Sequence, residues 1–377
     1  MLITIVCDVL GKENNGTTIA AMNLIRYLES KKHSIRVLCS MQENADTNFF
    51  MVKNRNFWVF NNYVKKNGVA LAKPDDSIIQ QALDGVDIVH IMMPFALGRK
   101  ASEIAKEKHI PITAGFHVMA ENFSSHLFMK NSYVVNRLTY AHFHRLYKNC
   151  DAIHYPTQYL RDLFEGLYGK TNGYVISNGV NEIFTPEPHN FNLEEKITIL
   201  YAGRYSKEKS HDILLQAVAL SKHKDKIELI LAGDGPLKDK LEEMAKNLHL
   251  KVIFGFYSHE EMVKVINQSY LYVHAAEIEA EGISCLEAMT CGLVPVISDS
   301  SRCATKSYAL DEKSLFKCND SQDLANKIDY WIDNPQIREL YSQKYIEYSK
   351  EKFSLQKCME KMETMFLDTI ENYQKKN

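Results

Sequence analysis

The strongest constraint on the fold is an alternation of short apolar runs with helix-like periodic segments, and this alternation starts twice along the chain. The first series begins with LITIVCDVL, and the second begins with KITILYAGR after Phe191. Such alternation is typical of parallel βαβ units. Pro186 and Pro188 lie in the stretch between the series. We therefore predict an α/β protein with two Rossmann-like domains. The predicted segments are 1–185 and 191–352 for the domains, and 353–377 for a C-terminal helix that packs back toward the first domain.

The composition is that of a globular protein from the inside of a cell. The 377 residues exceed one ordinary core, and a net charge of −2 argues against a nucleic-acid-binding protein. The eight cysteines show no CxxC spacing, which favours buried, reduced thiols. The N-terminal apolar run contains Asp8 and lacks a basic leader, so it predicts a strand and not a signal peptide. No apolar run reaches the roughly 18 residues of a membrane span. We expect a soluble protein, or one attached to a membrane surface.

Two glycine-containing turns follow strands in the second half. In AGRYSKEKSHDILLQA, Arg204 and Lys209 flank the turn between a strand that ends at Gly203 and the next helix. A diphosphate site needs cations and a helix N-terminus, although two exposed charges in a solvated loop also fit this pattern. The LAGDGP turn contains Gly233, and Pro236 interrupts any dinucleotide fingerprint, which disfavours a nicotinamide enzyme.

Four glutamates lie within eleven residues of EIEAEGISCLEAMTCGLVPV, at positions Glu277, Glu279, Glu281 and Glu287. Apolar residues surround them, and carboxylates at the edge of a core are costly unless they have partners. Charge-assisted hydrogen bonds to the hydroxyls of a polyol would provide such partners. The favourable position of acids at a helix N-terminus is the alternative explanation. It explains Glu277 but not Glu287, which lies on an apolar helix face.

Five motifs of the second half, taken in order, resemble the C-terminal motifs of the retaining glycosyltransferases of family 4, which have the GT-B fold. The motifs are ISNGVNEIF, YAGRYSKEKSHDILLQA, ELILAGDGPLKDKL, VIFGFYSHEEM and EAEGISCLEAMTCGLVPV. The first half agrees more loosely, through NNGTTIAAMNLIRYL and GFHV. The resemblance implies two Rossmann-like domains that face a central cleft. It also implies a hexosyltransferase that uses a nucleotide sugar and retains the anomeric configuration.

The resemblance assigns the nucleotide diphosphate to Arg204 and Lys209. It assigns the sugar hydroxyls to Glu279 and the ribose to Glu287. The implied catalytic residues are His117, Arg204, Lys209 and Glu279. The implied nucleotide-sugar-binding residues are Gly16, Gly203, Arg204, Lys209, Gly233, Tyr257, Glu279, Gly282, Ile283, Ser284 and Glu287. From the residues alone, a structural histidine explains His117 and an ordinary βα turn explains Gly16. The family most often has an aromatic residue where this chain has Glu281, a departure that leaves open the fine shape of the sugar pocket and the choice of donor or acceptor.

The chain contains no D-x-D motif, the paired acids with which metal-dependent glycosyltransferases hold a divalent ion. We expect Arg204 and Lys209 to supply that positive charge, with no metal and no other cofactor. No separate catalytic base is evident. Catalysis would consist of positioning the substrates and stabilising the departing diphosphate.

Two segments of the first half, 49–73 and 122–150, contain no acids but interleave cations with aromatic residues. Such surfaces suit an anionic membrane, where cations meet headgroups and rings lie at the interface. A helix packed on the core with a basic outer face is the alternative, and no nucleic-acid-binding fold accompanies the charge. The aromatic residues of the second segment include Tyr140, Phe143 and Tyr147. The candidate membrane- and acceptor-side residues are Lys53, Arg55, Phe57, Trp58, Phe60, Lys65, Lys66, Lys130, Arg137 and Arg145.

The sequence therefore predicts transfer of a hexose, with glucose from a UDP-linked donor favoured, to a hydroxyl of a membrane lipid such as diacylglycerol. The expected location is the cytoplasm, on the inner face of the cell membrane. Two alternatives stay open. One is transfer to a soluble or polyprenyl-linked saccharide in capsule or cell-wall synthesis. The other is a nucleotide-sugar-binding protein without catalysis.

Overall fold

The chain divides into two compact units, each built around its own parallel sheet. The first unit comprises Met1–Gly179 and Gln356–Asn377, and the second comprises Val180–Leu355. The computed structural model describes residues 1–8, 10, 16–40, 48–55, 71–125, 132–189 and 191–376.

The first unit contains a seven-stranded sheet in the order β3-β2-β1-β4-β5-β6-β7, and neighbouring strands pair in parallel. The central strands are buried along their whole length, as expected of a parallel sheet covered on both faces. The strands are β1 Leu2–Val6, β2 Ser34–Cys39, β3 Phe49–Met51, β4 Ile88–Ile91, β5 Ile112–Gly115, β6 Ala152–Tyr155 and β7 Gly173–Val175. The helices are Gly16–Ser30, Asp76–Ala82, Ala96–Glu107, Ala120–Ser125, Tyr133–Tyr147, Gln158–Tyr168 and the C-terminal Leu355–Lys376.

Polar contacts attach the C-terminal helix to the first unit. Glu363 accepts a 2.9 Å hydrogen bond from the Tyr27 hydroxyl and lies 2.8 Å from Nε2 of His33. The Tyr174 hydroxyl donates to Asp368 at 3.3 Å. The last helix therefore belongs structurally to the unit that contains the N-terminus.

The second unit contains a six-stranded sheet in the order β10-β9-β8-β11-β12-β13, again with parallel pairing. Its strands are β8 Ile197–Ala202, β9 Ile227–Ala232, β10 Lys251–Gly255, β11 Leu271–His274, β12 Val294–Ser298 and β13 Leu315–Phe316. Its helices are His211–Leu220, Lys238–Asn247, His259–Asn267, Ile283–Thr290, Ser321–Asp333 and Pro335–Lys352, and its 3-10 turns are Lys207–Lys209, Ala304–Tyr308 and Glu312–Ser314.

The prediction of two Rossmann-like α/β domains is confirmed, because each unit alternates parallel strands with helices. Within the described ranges, no helix combines the length and the apolar character needed to cross a bilayer. In both units the segments that leave the carboxyl ends of the strands carry most of the residues that the sequence singles out. This is the edge where open parallel sheets bind ligands.

Candidate nucleotide-sugar site

Lys209 lies at the end of a short 3-10 turn that connects β8 to the next helix. The turn spans Lys207–Lys209, and Ser210 adopts the left-handed conformation before the helix His211–Leu220 begins. The Tyr201 hydroxyl, from β8, donates a 2.7 Å hydrogen bond to the backbone carbonyl of Lys209. This bond anchors the turn to the carboxyl edge of the sheet.

The ammonium of Lys209 forms an ion pair with Oε2 of Glu279. The two side chains are only 19% and 13% exposed, so solvent screens the pair weakly. Burial alone raises the pKa of Glu279, but Lys209 and the neighbouring His274 outweigh it and hold that pKa well below its usual range. Burial likewise works against the charge of Lys209, yet the carboxylate of Glu279 raises the pKa of the ammonium above its ordinary value. Both groups are therefore charged at neutral pH.

The backbone of Glu279 is fixed by a neighbouring loop. Its N–H donates to the carbonyl of Arg302 at 3.1 Å, and its carbonyl accepts from the N–H of Ala304 at 2.9 Å. Arg302 also forms an ion pair with the carboxylate of Glu277. Glu277 is thus neutralised by one cation and Glu279 by another, which explains how adjacent glutamates lie at the edge of a core.

Two residues that the sequence analysis missed contribute to this cluster. Arg302 neutralises Glu277, and His274, the last residue of β11, lies with its Nε2 atom 3.3 Å from Oε2 of Glu279. His274 is fully buried, and burial lowers its pKa although Glu279 acts in the opposite direction. A histidine at the carboxyl end of a buried strand was a signal available in the sequence. The contact of Arg302 depends on loop geometry that the sequence does not encode locally.

Gly282 begins the helix Ile283–Thr290 and has a φ of +76°. A Cβ atom at this position would lie 2.3 Å from Cγ2 of Thr305, so both the backbone conformation and the available space require glycine. The hydroxyl of Ser284 donates to the carbonyl of Ala202 at 3.1 Å, which ties the helix start to the end of β8. The first N–H groups of the helix therefore lie beside the β8 turn.

Glu287 is a partly buried carboxylate on the same helix. Among the described residues its side chain makes no hydrogen bond or ion pair. Burial raises its pKa to about 8. The carboxyl group therefore has unused hydrogen-bonding capacity, and hydroxyl donors would stabilise its ionised form.

Gly233 allows the ends of β8 and β9 to approach closely. A Cβ atom there would lie 2.1 Å from the carbonyl oxygen of Gly203. Arg204, next to Gly203, is half-buried, and its carbonyl accepts from the N–H of Ser206 at 2.8 Å. Tyr257, after β10, is also half-buried. Apart from Glu287, which lies within the helix Ile283–Thr290, the site residues predicted in the second unit thus lie in segments that follow strands or begin helices.

His117 and Gly16 lie in the first unit. His117 follows β5 and is 9% exposed, and its Nε2 atom has no hydrogen-bond partner among the described residues. Burial, followed by the nearby rings of His154 and His90, holds the pKa of His117 well below its usual range, so the ring is neutral. Gly16 is exposed at the start of the helix Gly16–Ser30.

The predicted acceptor-side residues are only partly described. Lys53, Arg55, Arg137 and Arg145 are exposed, whereas Phe57, Trp58, Phe60, Lys65, Lys66 and Lys130 lie outside the described residues. On the helix Tyr133–Tyr147 the aromatic side chains separate by face. The rings of Tyr140, Phe143 and Tyr147 are buried in the core, whereas Tyr133, Val134 and Leu138 are between 65% and 72% exposed. The structure therefore agrees with the alternative of a helix packed on the core with a basic outer face, because helical periodicity turns three of the aromatic residues inward.

In the part of the chain that the structure describes, no group of three or more His, Cys, Asp and Glu side chains is arranged to bind a metal ion.

Two family descriptions match the chain in tandem. "Glycosyltransferase Family 4" matches residues 14–183, and "Glycosyl transferases group 1" matches residues 184–352. Together with the two parallel-sheet units, these matches define a glycosyltransferase of the GT-B fold. More specifically, the chain belongs to the group 1 and family 4 glycosyltransferases, and the resemblance found in the sequence is confirmed.

Curated relatives include two alpha-monoglucosyldiacylglycerol synthases. The chain is 29% identical to that of Streptococcus pneumoniae over 229 residues, which are 56% of this chain and 52% of the relative. It is 24% identical to that of Acholeplasma laidlawii over 314 residues, 77% of each chain. The match therefore spans about half the length of the pneumococcal relative. These relatives bear out the likeness to lipid glucosyltransferases.

Solved structures show the same fold. The structure of Anabaena Alr3699/HepE in complex with UDP aligns with a TM-score of 0.78 at 15% identity, over 98% of this chain and all of that one. WaaG, a glycosyltransferase involved in lipopolysaccharide biosynthesis, aligns with a TM-score of 0.71 at 16% identity, over 97% and 99% of the two chains.

Proposed function

We propose that this protein transfers glucose from UDP-glucose to a hydroxyl of a membrane lipid such as diacylglycerol, with retention of the anomeric configuration. The observation that carries the proposal is the buried ion pair of Lys209 and Glu279 at the carboxyl edge of the second sheet. It combines a cation for a diphosphate with an acceptor for sugar hydroxyls in one cluster.

The donor assignment rests on the chemistry of three further features. Arg204 comes two residues after Ala202, whose carbonyl Ser284 contacts, so it would add a second positive charge beside the helix that begins at Ile283, whose N–H groups suit a phosphate. Glu287 has unused hydrogen-bonding capacity that ribose hydroxyls would satisfy. Because the two cations supply the charge that stabilises a leaving diphosphate, we propose that transfer requires no divalent metal.

The proposed reaction takes place on one face of the sugar. The bond between the anomeric carbon and the phosphate oxygen breaks, and the acceptor oxygen bonds to the anomeric carbon from the same side. The acceptor's proton passes to an oxygen of the departing diphosphate. Lys209 and Arg204 stabilise the charge that develops on that diphosphate, and Glu279 orients the sugar.

A lipid acceptor is supported by the names of two relatives, which are alpha-monoglucosyldiacylglycerol synthases. The outer face of the helix Tyr133–Tyr147 supports it as well, because it exposes Val134, Leu138 and two arginines and no acids. Such a face suits the surface of an anionic bilayer. We propose peripheral attachment to the inner face of the cell membrane.

The experiment is a transfer assay of the full chain with UDP-glucose and diacylglycerol in vesicles, with products identified by mass spectrometry and the anomer assigned by NMR. An α-glucosyl lipid is expected. Glu279→Gln should abolish the product, whereas Glu243→Gln, a matched change at an exposed position of the same unit, should not. Transfer to soluble or polyprenyl-linked oligosaccharides but not to lipid would favour the saccharide alternative. Affinity for UDP-glucose without any product would indicate a binding protein.

A further inference from the structure

We infer that His274 is a positioning residue for Glu279: it orients the carboxylate so that one oxygen is anchored and the other is open to the sugar. The inference rests on the proposed function, because it concerns the donor sugar that Glu279 would bind. Both described partners of the Glu279 side chain, Lys209 and His274, meet the same oxygen, Oε2. Among the described residues, Oε1 has no partner. The open acceptor of this site is therefore Oε1.

The surroundings of His274 define its tautomer. Its Nε2 lies 3.3 Å from Oε2 of Glu279, and a nitrogen without a proton there would set two lone pairs against each other. The proton therefore lies on Nε2, and Nδ1 is left as an acceptor 3.5 Å from the hydroxyl of Tyr272. The Nε2–H is not yet aligned with the carboxylate, and it has no other partner among the described residues. A small rotation of the carboxylate would complete the bond.

Packing leaves the imidazole little freedom to turn away. His274 is fully buried, and its ring stacks on Tyr272 with centroids 6.2 Å apart and meets the edge of Tyr201 at 5.7 Å. Burial also favours the neutral ring, as the lowered pKa of His274 indicates. A neutral N–H donor of fixed direction aims the carboxylate without removing its charge.

Glu279 needs a second partner besides Lys209, because the diphosphate of the nucleotide sugar would compete for the Lys209 ammonium. Before the nucleotide sugar binds, the carboxylate of Glu279 pairs with the ammonium of Lys209 without competition from a phosphate. When the diphosphate of the donor attracts the ammonium, the carboxylate loses part of its anchor. The histidine has no charge for a phosphate to attract and stays with Oε2. His274 would therefore act in the donor-bound state, when Oε1 contacts a sugar hydroxyl.

The test compares three variants of the full chain by calorimetry with UDP and UDP-glucose, and by steady-state transfer. His274→Leu removes the N–H group that would donate a hydrogen bond to Glu279, whereas the amide of His274→Gln retains an N–H donor at a similar distance from the backbone. His211→Leu is the matched control: this imidazole is 1% exposed and stacks on Tyr201 at 4.5 Å, and neither of its nitrogens has a hydrogen-bond partner among the described residues.

We expect His274→Leu to bind UDP like the wild type, and to lose about 10-fold or more in UDP-glucose affinity and in kcat, the effect of one hydrogen bond to a charged group. His274→Gln should recover part of both losses, and His211→Leu should show neither. If His274→Leu keeps the wild-type UDP-glucose affinity and kcat, the inference is wrong but the proposed function stands. The same holds if His211→Leu loses as much affinity and kcat as His274→Leu. A wild-type protein that neither binds nor uses UDP-glucose would overturn the proposed function, and the inference with it.

Discussion

The ammonium of Lys209 pairs with the carboxylate of Glu279, although the two residues lie 70 positions apart in the chain. One follows β8 and the other follows β11, two strands that are neighbours in the sheet. The pair therefore couples the residue proposed for the diphosphate to the residue proposed for the sugar. If the diphosphate binds Lys209 as proposed, donor binding weakens the attraction between this ammonium and the carboxylate of Glu279.

Removing one member of this pair should destabilise the fold. In Lys209→Ala the carboxylate of Glu279 keeps only a neutral histidine, so we expect the free energy of unfolding at pH 7 to fall by about 3 kcal/mol, the lower end for a broken buried pair. The double variant Lys209→Ala with Glu279→Ala should lose less than the sum of the single losses. Urea denaturation measures all four free energies. Strict additivity would mean that the pair contributes no coupling.

The same pair predicts acid sensitivity. Because the pKa of Glu279 is depressed in the folded state, its contribution to stability is complete above the unfolded value of 4.5 and is lost as the pH falls toward the depressed folded value. The wild type should therefore lose stability more steeply than Glu279→Gln below about pH 4.5. Denaturation curves at a series of acidic pH values measure the two slopes. Parallel slopes would contradict the depressed pKa.

Much of this architecture was predictable from the sequence because strand burial and helical periodicity are local patterns. The five motifs placed Arg204, Lys209 and Glu279 in segments that leave the strands. Two kinds of information were not local. The partners of Glu277 and Glu279 come from a distant loop and from a distant turn. Tyr140 and Phe143 point inward because their side of the helix packs on the core. The alternation of cations and aromatic residues along the sequence does not specify which side that is.

The two glutamates of the motif should respond differently to ligands. Glu279→Ala should reduce transfer strongly while free UDP still binds, because its proposed partner is the sugar. Glu287→Ala should weaken UDP itself, by about 1.5–3 kcal/mol above about pH 8, where the carboxylate is charged and accepts hydrogen bonds as an anion. Calorimetry with UDP, beside kinetics with UDP-glucose, separates the two effects. Equal losses of UDP affinity would mean that Glu279 is not specific to the sugar.

Glu287 also predicts a pH dependence of the opposite sign to that of Glu279. Its folded pKa of about 8 lies above the unfolded 4.5, so the folded state binds more protons between these values and stability falls as the pH rises through them. Glu287→Gln should remove this slope. Because the ribose requires an acceptor, UDP-glucose affinity of the wild type should rise with pH up to about 8, and affinity of the Gln variant should be flatter. A Gln variant that retains the wild-type slope would assign the titration to another group.

Transfer should persist in excess chelator, because Arg204 and Lys209 provide the positive charge that a divalent ion would otherwise bring to the diphosphate. The measurement is the initial rate of glucose transfer with and without EDTA, followed by addition of magnesium or manganese. A second arm repeats it with Lys209→Ala, which should lose about 2–3 kcal/mol of transition-state stabilisation for one charge-assisted contact. Activity that disappears in chelator and returns with either metal would refute the proposal.

Membrane attachment through the helix Tyr133–Tyr147 should have an electrostatic part and an apolar part that can be separated. Replacing Arg137 and Arg145 by Glu should weaken binding to anionic liposomes, since each cation near the surface contributes about 1 kcal/mol, and the effect of this change should shrink at high salt. Replacing Val134 and Leu138 by Ser should weaken binding at every salt concentration, because apolar burial is not screened.

Co-sedimentation with liposomes, beside transfer to diacylglycerol in vesicles, measures both parts. A control that replaces Lys170 and Lys240 by Glu changes the net charge equally at two other exposed positions. The control should bind better than the variant of the helix, because attraction depends on which cations face the bilayer. Slow hydrolysis of UDP-glucose should be equal in all variants, since none of them changes a residue assigned to the donor. If the control and the helix variant lose binding to the same extent, only the net charge matters and the helix face is not the attachment surface.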